Sequence, residues 1–401
     1  MTHAYYAIGL NFHQPHGNLV DLLNSVDWEA KQVLHTLARP ASYLHQCGVE
    51  ARLHVVLSGT LLMQLGDPGV QETFENIVDL RWLLEEYRSS GIEFLGSGYT
   101  HPVFPLIPGK DWETQLGRYL EMARPLLTRN WFPGFWPPEL GFCMEMIPTL
   151  KKFGYRYVVV DDEYIEPLEP MSWGRLRYRP HLARHGGEEI VVVPRDREIS
   201  NAQQSGFDPG WFAYELGERT RHCDDFPPLV TSFTDGDNGG WFRNMTEASG
   251  FWGWFYRPML DWQRSGTLAL TQISINEYLD RFGAEGEVVV HSGAWNTGHH
   301  HGRGFTQWTG SLLQKRGWDE LHRVSERYHA RRWAVGEQGN GRHQHELLDR
   351  AYWHILRAET SCNFFWGSSW VHKSFEDLER AYFLLDQAKA KLPAKERRRK
   401  G

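Results

Sequence analysis

The chain has 401 residues and a formal net charge of −7, and Trp, Tyr and Phe make up 14% of it. That length holds one large α/β domain with a smaller companion. The acidic balance, with Lys and Arg scattered until the last few positions, excludes a nucleic-acid footprint, and no apolar run is long enough to span a bilayer. The four cysteines, Cys47, Cys143, Cys223 and Cys362, share no C-x-x-C spacing, so they read as plain thiols of a reducing compartment. The N-terminus lacks a basic stretch followed by a long apolar one, so no signal peptide is expected. Together these features predict a soluble, cytoplasmic protein.

In chain order, β-rich runs fall at 5–11, 52–58, 92–98, 155–162, 189–195, 228–235 and 287–292, with a further short one near Gly134-Phe135-Trp136. Several are continuous in Val, Ile and Leu, as strands covered on both faces are. Helical patterns such as 72–90 and 112–128 separate them, and strands alternating with helices predict a parallel sheet. Each run ends in polar or ionisable residues: Asn11 to His13, Ser58, Ser97 to His101, Glu139, Asp161 and Asp162, Arg195 and Asp196, Asp235, His291. In a barrel of parallel strands the site forms at those carboxyl ends. Seven or eight such strands predict an α/β fold, a (β/α) barrel, complete or incomplete. An open doubly wound sheet is the alternative, but no glycine-rich phosphate loop follows any early strand, so nucleotide binding has no support.

From residue 310 the pattern turns helical, with Phe375, Leu378, Tyr382 and Leu385 marking one buried helix face. The expected organisation is a catalytic barrel over 1–309, a helical subdomain over 310–392 and a frayed basic tail over 393–401.

Five stretches carry candidate chemistry. Asn11-Phe12-His13-Gln14-Pro15-His16 closes the first strand and offers His13 and His16, two imidazoles for hydroxyls or a metal. Gly96-Ser97-Gly98-Tyr99-Thr100-His101-Pro102 places His101 at the rim. In Trp136-Pro137-Pro138-Glu139 two prolines stiffen the mount of a lone carboxylate beside an indole. That Glu139 reads as a nucleophile or proton carrier, or as a first-turn acid facing a helix dipole. Asp235-Gly236-Asp237 sets two acids at a strand end; it lacks the twelve-residue spacing and closing glutamate of a calcium loop. Trp295-Asn296-Thr297-Gly298 followed by His299 to His301 reads as a polar, aromatic substrate loop, since consecutive histidines rarely face one metal. Two carboxylates at strand ends fit glycoside chemistry, one attacking the sugar and the other managing the proton.

Taken in order, these five segments resemble the conserved regions of family 57 glycoside hydrolases, and Ser361 to Gly367 is similar to that family's helical part. The resemblance spans roughly residues 5 to 390. It implies an incomplete (β/α)7 barrel with a helical C-terminal part, and retaining chemistry on α-glucans or related α-glycosides without a metal or other cofactor. It makes Glu139 the nucleophile and Asp235 the acid/base, with His13 holding the sugar at the bond to be cleaved. His16, His101, Trp136, Asp237 and Trp295 are the further residues expected to line the oligo- or polysaccharide site. The chain departs from the family's frequent Asp-Gly-Glu by carrying Asp235-Gly236-Asp237. Two alternatives stand beside this reading. One is a metal-dependent deacetylase or mannosidase-like hydrolase with His13, His101 and Asp162 or Asp235 as ligands. The other is a carbohydrate-binding protein without catalysis.

Overall fold

The computed structural model describes residues 3–48, 51–244, 246–295, 304–337 and 341–388. The chain divides into two compact units. The first comprises Met1–His101 and Glu113–His299, the second Pro102–Trp112 and His300–Gly401.

Among the described residues the first unit is built on eleven strands: β1 (Ala4–Phe12), β2 (His54–Leu57), β3 (Glu93–Phe94), β4 (Gly134–Phe135), β5 (Tyr157–Asp161), β6 (Ile165–Pro167), β7 (His181–His185), β8 (Glu188–Arg195), β9 (Leu229–Asp235), β10 (Leu270–Gln272) and β11 (Val288–Val290). β9, β1, β2 and β3 pair in parallel, as do β4, β5 and β8. Gly96 joins the two ladders, its N–H donating to Gly134 O (2.9 Å) and its carbonyl accepting from Trp136 N (2.8 Å). Asp196 N to Thr231 O (3.1 Å) and Arg195 Nε to Phe233 O (2.7 Å) link the ends of β8 and β9. The result is a ring of seven parallel strands wrapped by helices: a (β/α) barrel, as the alternation predicted, with the seven strands that the family resemblance implied. The ring strands are continuous in apolar residues because both their faces are covered: Val158, Val159 and Val193 have no exposed surface.

Several local expectations change. The run 287–292 forms β11, which pairs antiparallel with β6 outside the ring, and His291 is exposed and bound to Glu166 (2.6 Å). β7 and β8 form an antiparallel hairpin whose turn residues Gly186 and Gly187 both have positive φ, as a two-residue hairpin loop requires. β10 pairs with the first residues of β1, while β2 pairs with its last. The helix expected over 72–90 is two, Pro68–Phe74 and Leu80–Ser89. The second starts where the Asp79 carboxylate accepts from Arg81 N and Trp82 N.

In the second unit the helices Leu312–Glu337, Arg342–Ala358 and Ser368–Gln387 pack together. Leu378 and Leu385 are buried with Val371 and Ala381, but Phe375 and Tyr382 sit at the edge of that face. Tyr382 carries the Arg327 guanidinium 4.1 Å over its ring. Asp111, fully buried, accepts from Ser325 Oγ (2.6 Å), His329 Nε2 (2.7 Å) and Tyr352 Oη (2.7 Å).

Inside the barrel, aromatic rings lie over glycines of the neighbouring strand. Gly9 pairs with Phe233 across β1 and β9, and a Cβ on Gly9 would lie 1.9 Å from the Phe233 ring. Gly134 stands in the same relation to Tyr157. Phe233 in turn stacks on Trp136 (5.3 Å between centroids, 18° between planes), so the space at Gly9 supports the wall of the barrel mouth. Gly9→Ala is expected to lower unfolding stability by roughly 1–3 kcal/mol through overpacking, read from urea denaturation. A variant of unchanged stability would show that Phe233 moves aside freely.

Candidate active site

The carboxyl ends of β1, β3, β4 and β9 converge, and the site grows from four turns. Glu139 occupies a single 3-10 turn, Pro138–Leu140, rather than the start of an α-helix, so the dipole-facing alternative does not apply. Its backbone is left-handed (φ 57°, ψ 16°), and so is that of Leu140 (φ 52°). Such angles cost a non-glycine residue about 1–3 kcal/mol and persist only where the surroundings over-determine them. Trp295 does this twice: its backbone N–H donates to Glu139 O (2.9 Å) and its indole Nε1–H to Glu139 Oε2 (2.7 Å). Trp136, expected to line the ligand surface, is fully buried behind Trp295, edge to face at 5.5 Å.

His101 also has a left-handed backbone (φ 59°) and is buried. Its Nδ1 lies 3.7 Å from Glu139 Oε1, and its Nε2 lies 3.5 Å from Asn11 Nδ2. Burial pushes its imidazole down to about 3, so the ring facing Glu139 is neutral. His13 stacks on it with parallel planes at 4.1 Å and hydrogen-bonds Ser58 Oγ through Nδ1 (2.8 Å). Burial and the neighbouring His101 hold His13 well below the usual histidine range. His16 does not share this interior; it lies exposed on the following turn.

Asp235 ends β9 opposite Asn11 of β1. Asn11 Nδ2 donates to its Oδ1 (3.0 Å) and Asn238 Nδ2 to its Oδ2 (3.1 Å). Burial raises its carboxyl above the ordinary range, against the pull of Asn11, Asn238 and Arg195. Asp237, two residues on, is buried, and its Oδ2 accepts from Gln14 Nε2 (2.8 Å). Burial, then the charge of Asp235, pushes its carboxyl up to about 7. Arg195 lies 5.5 Å over the Trp295 ring while paired to Asp161 (3.0 Å). Glu139, Asp235, His13, His101 and Trp295 are therefore joined in one network. His299 to His301 lie outside the described residues. Asn11, Gln14, Ser58, Arg195 and Asn238 complete the network. Of these, Asn11, Ser58 and Arg195 were legible as polar strand ends, Gln14 as part of the first quoted stretch, and Asn238 only as the residue that follows Asp235-Gly236-Asp237.

The alternative metal set does not assemble. His13 and His101 meet face to face, Asp162 is bound to Arg177, and among the described residues no three His, Cys, Asp or Glu side chains converge as ligands.

A seven-stranded barrel with carboxylates, imidazoles and an indole at its carboxyl ends is a glycoside-hydrolase type of barrel. Residues 27–291 match the profile of Glycosyl hydrolase family 57, and the chain belongs to that family. It is 25% identical over 300 residues to a 4-alpha-glucanotransferase of Thermococcus litoralis, covering 72% of this chain and 40% of that protein. It is 26% identical over 202 residues to an alpha-amylase of Pyrococcus abyssi, covering 50% of this chain and 28% of the relative. The chain thus spans less than half the length of these curated relatives. Among solved structures, an alpha-amylase of Thermotoga maritima superposes with a TM-score of 0.73 at 12% identity, over 96% of this chain and 93% of the other. The T. litoralis 4-alpha-glucanotransferase superposes with a TM-score of 0.69 at 19% identity, over 95% and 60%. At such identities the superpositions speak for the fold.

The carboxyl of Asp237 gives a stability test. Its folded value, about 7, lies above the ordinary 3.8. Between those two values the folded chain keeps a proton that the unfolded chain has lost, so stability falls as pH rises through that window. Asp237→Asn is expected to flatten this fall when urea denaturation is compared at several pH values across it. An unchanged slope would place the proton elsewhere.

Proposed function

We propose that this chain is a retaining glycoside hydrolase or transglycosylase acting on α-glucans or related α-glycosides, with Glu139 as nucleophile and Asp235 as acid/base. The observation that carries the reading is the network joining the two carboxylates: Asp235 to Asn11, Asn11 to His101, and His101 to Glu139. It sets each acid in a different environment, as paired catalytic carboxyls need. Asp235 is raised and suited to carry a proton. The Trp295 indole holds Glu139 Oε2, and Oε1 is the atom assigned to attack.

In the first step Asp235 gives its proton to the glycosidic oxygen as the bond from C1 to that oxygen breaks. Glu139 Oε1 forms an ester to C1, and the leaving sugar departs with its hydroxyl. In the second step the Asp235 carboxylate takes a proton from water or from an acceptor sugar hydroxyl. The oxygen of that group bonds to C1, the ester breaks, and Glu139 is regenerated. Water gives hydrolysis and a sugar acceptor gives transfer. The relatives' names, a 4-alpha-glucanotransferase and an alpha-amylase, support α-glucans as the substrate class. His13, His101, Asp237 and Trp295 form the wall against which the sugar is held. Among the described residues no disulfide joins the four cysteines, which suits action in the cytoplasm.

Wild type, Glu139→Gln and Asp235→Asn would be incubated with maltoheptaose and with amylose, and products resolved by chromatography with a reducing-end assay. Wild type is expected to change both glucans, and each variant to lose roughly a thousandfold or more in kcat. Rising reducing ends mean hydrolysis; redistributed lengths at constant reducing ends mean transfer. Variants as active as wild type would end the assignment. Trp295→Phe, which keeps the ring but removes the N–H on Glu139, should lower kcat/KM by about tenfold.

A further inference from the structure

Asn11 is buried at the end of β1, in register with Asp235, and its carbonyl accepts from Gly236 N (2.8 Å). Its side-chain amide meets two groups at once, Asp235 Oδ1 at 3.0 Å and His101 Nε2 at 3.5 Å, both through Nδ2. Among the described residues its buried Oδ1 has no hydrogen-bond partner. A buried amide oxygen without a donor is costly, so the orientation is dictated by what Nδ2 must serve. Reversing the amide would set a carbonyl oxygen against the Asp235 carboxylate.

That orientation has a consequence on the far side of His101. A neutral imidazole carries one N–H. With the Asn11 N–H pointing at Nε2, that nitrogen is the acceptor, and the proton sits on Nδ1. Nδ1 is the nitrogen that faces Glu139 Oε1, at 3.7 Å. We infer that Asn11 is a positioning residue for both carboxylates: it holds the Asp235 carboxylate in place through one N–H, and through the other it sets the His101 tautomer that presents a donor to Glu139. The inference rests on the proposed roles of Glu139 and Asp235.

The expected pH effect follows from the charges around Asp235. These are Asp237 two residues on, Arg195 from β8, His101 and Glu139 from the loops after β3 and β4, and Arg243 beyond Asp237. A hydrogen bond from Asn11 favours the ionised form of Asp235. Removing it raises the carboxyl, and a general acid then stays protonated to higher pH. The alkaline limb of kcat/KM moves up.

The test uses the full chain with Asn11→Leu, close in shape but without N–H groups, and Asn11→Asp, which puts an acceptor in place of Nδ2. Folding of each is checked by thermal denaturation. Two readouts are taken. Nitrogen-15 spectra of histidine-labelled protein report the His101 tautomer, assigned with a His101→Gln variant. The pH profile of kcat/KM on maltoheptaose reports Asp235.

In wild type, His101 is expected to carry its proton on Nδ1. In Asn11→Leu that preference is lost, the alkaline limb rises by roughly half to one pH unit, and kcat falls by about tenfold with KM little changed. Asn11→Asp should move the limb further in the same direction. The inference is overturned if wild-type His101 carries its proton on Nε2, or if a folded Asn11→Leu keeps both tautomer and profile. Should Asn11→Leu fail to fold, the wild-type tautomer and the Asn11→Asp profile decide. Active Glu139→Gln and Asp235→Asn variants would instead remove the proposed roles, and this inference with them. Dead ones beside an unchanged Asn11→Leu remove this inference alone.

Discussion

The pair of hydrogen bonds from Trp295 to Glu139 is the constraint on which the barrel mouth depends. The turn that carries Glu139 is strained at two successive residues, and a turn of that kind relaxes unless something outside it holds it. One bond fixes the Glu139 carbonyl and the other one oxygen of its carboxylate. The indole giving that second bond leans on Trp136, which stacks on Phe233, which fits because Gly9 has no side chain. An aromatic column therefore runs from a barrel strand to one carboxylate. The prolines at 137 and 138 stiffen the turn from within, and the column aims it. Preorganisation of this sort is how a site holds a reacting group near its working geometry.

The second requirement is charge. Buried carboxylates are costly unless hydrogen-bonded. At this mouth the donors are neutral amides and an indole: Asn11 and Asn238 on Asp235, Gln14 on Asp237, Trp295 on Glu139. The two imidazoles are held neutral by burial. Arg195 stands close but is paired to Asp161. Neutral donors orient a carboxylate while depressing its affinity for a proton less than a cation would. Burial outweighs these donors, and Asp235 and Asp237 are both raised. A site that must pass a proton to a weakly basic oxygen benefits from an acid that still has one.

Most of the seven ring strands were legible because they are covered on both faces and so are written as apolar runs ending in polar residues. Residues 287–292 carry the same signature, three valines and a histidine, yet pair antiparallel outside the ring. Burial pattern reports that a strand is covered, not which strand it pairs with. The Gly186-Gly187 turn between His185 and Glu188 was a readable hairpin signal, and it lay between runs that looked like separate strands. In the last helix, Leu378 and Leu385 followed the expected face while Phe375 and Tyr382 fell to its edge, because large rings tolerate partial cover.

By itself the sequence determined the alternation of strands and helices, the acids and histidines at strand ends, and the stiffness of the Pro137-Pro138-Glu139 mount. These are local properties, set by side-chain period and by proline's closed ring. Only the tertiary structure decided that Asn11 stands opposite Asp235, that His101 lies over His13 while His16 turns outward, and that Trp295 reaches back across 156 residues to hold Glu139. Those relations depend on register and ring closure, which bring residues together from strands remote in the chain, and no spacing within one segment encodes them.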